Sequence, residues 1–455
     1  MTREGRVDAH AYGRHAAAAH RDLLSGPEEP RSVKLKAKVC EVGRRSRVLG
    51  GRAAVQGPLL SLSSQAVGLI QLALLLWRTG ANNATDAYFY LWTLGMLPTL
   101  TLIVGVMYPM LLNNSRIGGP GVTRIAAVTP VMSVVTVAIG ATWFALNDRP
   151  VSVILPIAIA SAGNAAAQAL VWHRAVLSEA VGEPRWMCAV ALPSNVLAVF
   201  VLALPLGSAV QVVTFMIAAL FVGNVGLYLA MVRLEVGASA IRGGEDLLPA
   251  TKATFVWFFF RAGSGQLALV VIQSTAVLLP AATLTVVSVA SKFVGAFSSI
   301  FVNALIPRFI NQSTKDAAAA NKFILVLWCF LFPIGVLVTA LALPLEGLQV
   351  SLALLGSVWV LVATTAAVAQ RMAFRFLPAS TSRLSIGAVS LVSLLAVMSA
   401  SSSEFNAEML VAAYAGLDAL TGVMFLFMLR SRAAFVLMFG ALLVVAIIWV
   451  GQYFY

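Results

Sequence analysis

Charge is what this sequence has least of: 11% of its 455 residues are Asp, Glu, Lys or Arg, under half the share in a soluble domain. Acid is scarcer than base, at 18 carboxylates against 31 Lys and Arg. Cysteine is nearly missing. Cys40, Cys188 and Cys329 are odd in number and scattered, so neither a disulfide framework nor a zinc site is indicated. His10, His15 and His20 recur at five-residue spacing, which does not stack them on one helical face, and no carboxylate or Cys cluster joins them. No bound metal is expected. A Walker loop, a His-Glu-x-x-His pair, a Ser/His/Asp set and a dinucleotide-binding glycine fingerprint are all absent. That argues against an enzyme, an ATPase engine or a cofactor.

What is present is apolar. Hydrophobic residues make up 60% of the chain, and the mean hydropathy is +0.90. No globular core of this length hides so much apolar surface, whereas a bilayer does. The runs 253–280, 323–345 and 433–454 each reach the roughly 20 residues that cross about 30 Å of hydrocarbon. They are too long for strands and lack in/out alternation. The expected class is an all-α polytopic membrane protein. Spans are expected over 58–77, 87–112, 125–146, 151–172, 187–206, 209–232, 253–279, 281–306, 323–345, 349–369, 384–400, 409–429 and 433–454.

Orientation follows from the basic residues. Outside the first 57 residues and the spans, every Lys and Arg except Arg78 and Arg149 falls in the loops after even-numbered spans. This positive-inside pattern puts the N-terminus in the cytoplasm and the C-terminus outside. The net charge of +13 then reflects topology and attraction to anionic lipids rather than nucleic-acid binding. Residues 1–57 are basic and polar without a hydrophobic signal core, and are expected to be a disordered cytoplasmic tail.

A duplication is visible in the spans. Ala84-Thr85 and the later Pro109-Met110-Leu111-Leu112-Asn113-Asn114-Ser115 recur, at one common offset, as Ala282-Thr283 and Pro307-Arg308-Phe309-Ile310-Asn311-Gln312-Ser313. The expected architecture is therefore two six-helix lobes as parallel repeats around a central cavity, with one extra helix. The N-lobe would cover 58–232, a cytoplasmic loop 233–252, the C-lobe 253–430 and the extra helix 433–455.

Charges inside spans are costly and mark functional candidates. Lys292 lies about 16 Å from the start of its span at 1.5 Å per residue, too deep for easy snorkelling. It is either a cavity cation for an anionic substrate or half of a structural pair with Asp418. Arg261 lies about 12 Å from its end of span seven, within snorkelling reach. Gly263, Gly265 and Gln266 follow it, a pattern that suits a kinked, substrate-lining helix. Asp86 opens span two; it either caps that helix, supported by Thr85, or forms a gate contact. Asp418 is either an ion-coupling site or a hydrogen-bonded structural group.

The stretch Gly80-Ala81-Asn82-Asn83-Ala84-Thr85-Asp86-Ala87-Tyr88-Phe89, with Pro98 and Pro109 beyond it, resembles the second helix of the MurJ/MviN lipid flippases. That family belongs to the multidrug/oligosaccharidyl-lipid/polysaccharide (MOP) exporter superfamily. Leu279-Pro280-Ala281-Ala282, Ser291-Lys292 and Leu305-Ile306-Pro307-Arg308 are similar to its Leu-Pro-Ala-Gly, Asp-Arg and Leu-Leu-Pro-Arg motifs. The resemblance implies movement of a lipid-linked, undecaprenyl-type glycan from inner to outer leaflet of a bacterial plasma membrane by alternating access. The glycan would be the peptidoglycan precursor or a related cell-surface polysaccharide unit. It also implies cavity positions at Gln65 and Gln71, where family members carry arginine, and an outer-gate role for Asp86. Partners would be that lipid-linked substrate, anionic lipids and enzymes of cell-wall or glycan synthesis. Two alternatives remain: a MATE-like antiporter of small cations, which needs cavity carboxylates, and a non-transporting scaffold for cell-wall enzymes.

Overall fold

The computed structural model describes residues 59–112, 119–180, 183, 185–238, 252–312, 317–342, 347–376 and 407–451. The expected tail, the span at 384–400 and both Asn-amide-Ser ends of the repeat motif, Asn113 and Ser313 among them, lie wholly or partly outside these residues.

Every regular element among the described residues is helical. Helix α1 is Leu59–Thr79. Helix α2 begins as Asn83–Pro98, continues as a π-helical stretch, Thr99–Met107, and ends as Tyr108–Leu112. Then come α3 (Gly119–Leu146), α4 (Val151–Ala180), a short Arg185–Ala189 turn leading into α5 (Leu192–Ala203), and α6 (Ala209–Arg233). The chain continues with α7 (Lys252–Ala276), α8 (Thr283–Gln312), α9 (Ala317–Ala342), α10 (Gly347–Phe376), α11 (Ala407–Met428) and α12 (Arg432–Gly451). Eight described helices are long and apolar enough to span a membrane, with shorter apolar stretches in α7, α8, α9 and α12. The chain is a multi-pass membrane protein. Large apolar side chains such as Val131, Ile139, Ile159, Phe200 and Phe330 are exposed on its flanks, which is where hydrocarbon solvates them.

The helices sort into two halves. Within the first, α4 packs on α3 and α6, α5 on α6, and α2 on both α3 and α4; within the second, α10 packs on α8, α9 and α11, and α11 on α12. The main packing between halves runs through α2 against α7 and α8. Burial reflects this: 67% of the α2 span is buried inside the protein, against 28% for α1.

The π-helical stretch has a local cause. Pro98 has no N–H for the helical ladder, and after it the bonding shifts, so that Tyr108 N–H reaches Ile103 O, five residues back. Gly105 then lets α7 approach closely, since an added Cβ would lie 2.2 Å from Ala262 Cβ. Below this point Val106, Met110 and Phe258 pack together.

Candidate functional site

Two sets of contacts join α2 to the second half. The first lies at the end where α2 begins, opposite the loops rich in Lys and Arg. Helix α2 is capped by its own Asn82, whose side chain accepts from Ala84 N (2.8 Å) and Thr85 N (3.3 Å), while Thr85 Oγ1 accepts from Asn82 N. This capping box satisfies the first turn, and it leaves Asp86 free to act elsewhere. Asp86, 2% exposed, reaches across to α8 instead. Its Oδ2 accepts from Ala282 N and its Oδ1 from Thr285 N, both at 2.8 Å, and Thr285 Oγ1 also donates to Oδ1. Thr85 Oγ1 sits 2.9 Å from Thr285 Oγ1. A carboxylate of one half thus caps the first turn of a helix in the other, where the dipole favours negative charge. The cap that Asp86 supplies is on α8, not on α2.

Neighbouring contacts seal the same end. Tyr90 Oη lies 2.9 Å from Ser274 Oγ in α7, and Trp143 donates to Ser274 O at 3.2 Å. Arg149, in the α3–α4 turn, donates to Asn83 Oδ1 (2.6 Å) and to the carbonyls of Val277 (3.2 Å) and Leu279 (2.9 Å). On the α1 side, Arg78 donates to the carbonyls of Leu202, Leu204 and Leu206 at and beyond the end of α5. Arg78, in the last turn of α1, and Arg149 thus both donate to carbonyls at or just beyond helix C-terminal ends.

The second set lies two helical turns deeper. Lys292 of α8 places its Nζ 4.8 Å from the centroid of the Phe89 ring, 4.9 Å from Trp92 and 5.1 Å from Tyr88. Tyr88 Oη is 3.4 Å away. All three rings come from α2, at positions i, i+1 and i+4, so they share one helical face. Their negative π faces receive the ammonium. Because Asp86 meets Thr285 and Trp92 meets Lys292, α2 and α8 run in the same direction, side by side.

The remaining candidates are spread out. Gln71 is buried between α1 and α6, its Nε2 donating to Met216 Sδ at 2.9 Å, and Gln65 is half-buried on α1. Arg261 lies in α7, its side chain outside the described residues. Asp418 in α11 accepts from Trp359 Nε1 at 2.9 Å, and Tyr414 packs on that indole, centroids 5.2 Å apart. Lys292 and Asp418 therefore have different partners. Among the described residues no group of His, Cys, Asp and Glu is placed to hold a metal ion. Tyr88, Phe89, Trp92 and Thr285 were not singled out from the sequence. The signal for the first two lay inside the motif that begins at Gly80, read there for its resemblance rather than for its rings.

A solved structure of the lipid II flippase MurJ in an inward closed conformation aligns with this chain at a TM-score of 0.59, covering 89% of this chain and 93% of that one. The fold is that of MurJ. Identity to that MurJ chain is 12%, so the likeness carries architecture rather than side chains. No family model and no curated protein matches the sequence. The contact between α2 and α8 lies within that fold.

Proposed function

We propose that this protein is a flippase that moves a lipid-linked, undecaprenyl-type glycan across a bacterial plasma membrane by alternating access. The cargo is the peptidoglycan precursor or a related cell-surface polysaccharide unit. The basic loops face the cytoplasm, and the N-lobe (58–232) and C-lobe (253–430) rock about the α2 contacts. One observation carries the reading: a MurJ fold over nine-tenths of the chain holds an intramembrane cation, Lys292, at the contact between its halves. A diphosphate-linked lipid needs such a cation, and Lys supplies it as a point charge. Arg261, with Gln65 and Gln71, completes the proposed cavity set, and Asp86 is the gate contact at the outer face. Asp418 is the candidate for ion coupling; its bond to Trp359 keeps it within the second half. Anionic lipids hold the basic loops, and glycan-synthesising enzymes are the expected suppliers of cargo.

The test is translocation of a labelled lipid-linked glycan in proteoliposomes. A buried charge-assisted contact contributes about 1.5–3 kcal/mol, roughly 10- to 150-fold in binding. Lys292→Ala should therefore abolish most flipping at normal expression, and Lys292→Arg should retain it. Normal flipping by both Lys292→Ala and Arg261→Ala would overturn the anion site and favour a non-transporting scaffold.

A further inference from the structure

We propose that Tyr88, Phe89 and Trp92 form a cation clasp, a box that holds the Lys292 ammonium while the two halves are closed at the outer face and surrenders it when they part. The proposal rests on the alternating-access reading above, and deepens it: the box and the substrate's phosphate compete for one ammonium.

The geometry supports a clasp rather than incidental packing. An ammonium has three donors, yet among the described residues the contacts made by Lys292 Nζ are the Tyr88 hydroxyl at 3.4 Å and three ring faces at 4.8–5.1 Å. Every one of those groups belongs to α2, in the other half. Tyr88 and Phe89 are fixed in place, 2% and 1% exposed and packed on each other at 4.9 Å. The rings are thus a preformed receptor on one half, and Lys292 is a tethered ligand on the other. A side chain held across a moving contact must exchange its partner when that contact opens. The partner that replaces three ring faces for a cation is an anion, and the phosphate of a lipid-linked glycan is the anion the proposed function supplies. The clasp then sets an order: the outer face stays shut until the ammonium is released or neutralised elsewhere.

The test uses the full chain in proteoliposomes, with Cys40, Cys188 and Cys329 replaced by serine and Ser288→Cys as reporter. Ser288 is buried, its hydroxyl has no partner among the described residues, and it lies between Thr285 and Lys292 on one face of α8. A membrane-impermeant maleimide added at the outer face reads opening. Trp92→Leu should raise the labelling rate about 2- to 5-fold, the worth of one cation–π contact. Trp92→Phe, which keeps a ring, should raise it less. Lys292→Met should raise it more than either, and adding Trp92→Phe or Trp92→Leu to Lys292→Met should change the rate no further. A Trp92→Leu effect of the same size with and without the ammonium would mean packing alone, and would overturn the clasp. So would unchanged labelling in Lys292→Met. Should Trp92→Leu fold poorly, Trp92→Phe against Lys292→Met still decides. Labelling requires no substrate, so a failure to flip any lipid-linked glycan would sink the proposed function while leaving this result standing.

Discussion

Asp86 and Ala282 depend on one another. Ala282 adopts φ +81°, a left-handed conformation that costs a residue with a Cβ about 1–2 kcal/mol. The turn before α8 needs that conformation so that the Ala282 and Thr285 amides converge on one carboxylate. Ala282→Gly, which restores the glycine of the motif this turn resembles, should therefore stabilise the protein by about 1 kcal/mol, read as a higher unfolding midpoint in detergent. Asp86→Ala removes the cap and should cost about 0.5–2 kcal/mol. Its loss should also raise thiol labelling at Ser288→Cys, since the cap spans the two halves. Asp86→Asn keeps an acceptor oxygen and should lie between. Local rules of helix capping pair a carboxylate with the helix that carries it, and for that reason the sequence did not reveal that Asp86 serves α8. The aromatic box was hidden for a related reason: Tyr88, Phe89 and Trp92 in an apolar run read as ordinary core, and only the position of Lys292 gives them a ligand. Lys292 itself was legible, because a deep charge in an apolar span has few bland explanations.

At the level of helices, two close approaches set the packing. Gly223 of α6 lies against α5, where an added Cβ would fall 2.5 Å from Ser194 Cα. Backbone cannot yield as a side-chain tip does, so Gly223→Ala should cost about 1–3 kcal/mol. The small residue there allows helices to approach without a hydrophobic drive, as in other membrane bundles. Gly105 makes the equivalent approach from the π-helical part of α2 to α7. Gly105→Ala should separate α2 from α7 and alter transport more than stability, which flipping and thermal unfolding measured on one preparation would distinguish. The π-helical turn was not legible: Pro98 signals a disturbed ladder, but whether the disturbance becomes a kink or a π stretch depends on what packs beside it.

For the whole molecule, composition and apolar run length sufficed for an all-helical, multi-pass architecture, because the bilayer leaves few other solutions. Short motifs recurring at helix ends lead to the expectation of a duplication, and the same-direction pairing of α2 with α8 accords with parallel rather than inverted repeats. Sidedness is a matter of charge distribution. Leu234, just past α6, and Leu278, just past α7, are both exposed and should face opposite compartments. In intact cells an impermeant thiol reagent should label Leu278→Cys and leave Leu234→Cys untouched; the reverse would invert the topology.

The cap on α8 also bears on how the protein is made. Thr285 is 199 residues downstream of Asp86, and at about 5–20 residues per second the ribosome needs some 10–40 s to cover that distance. For that interval α2 is in the membrane without the amides its carboxylate serves. Asp86 stands in the first turn of α2, near the membrane surface, where water can hydrate it until α8 arrives. A carboxylate placed two turns deeper would have had no such refuge.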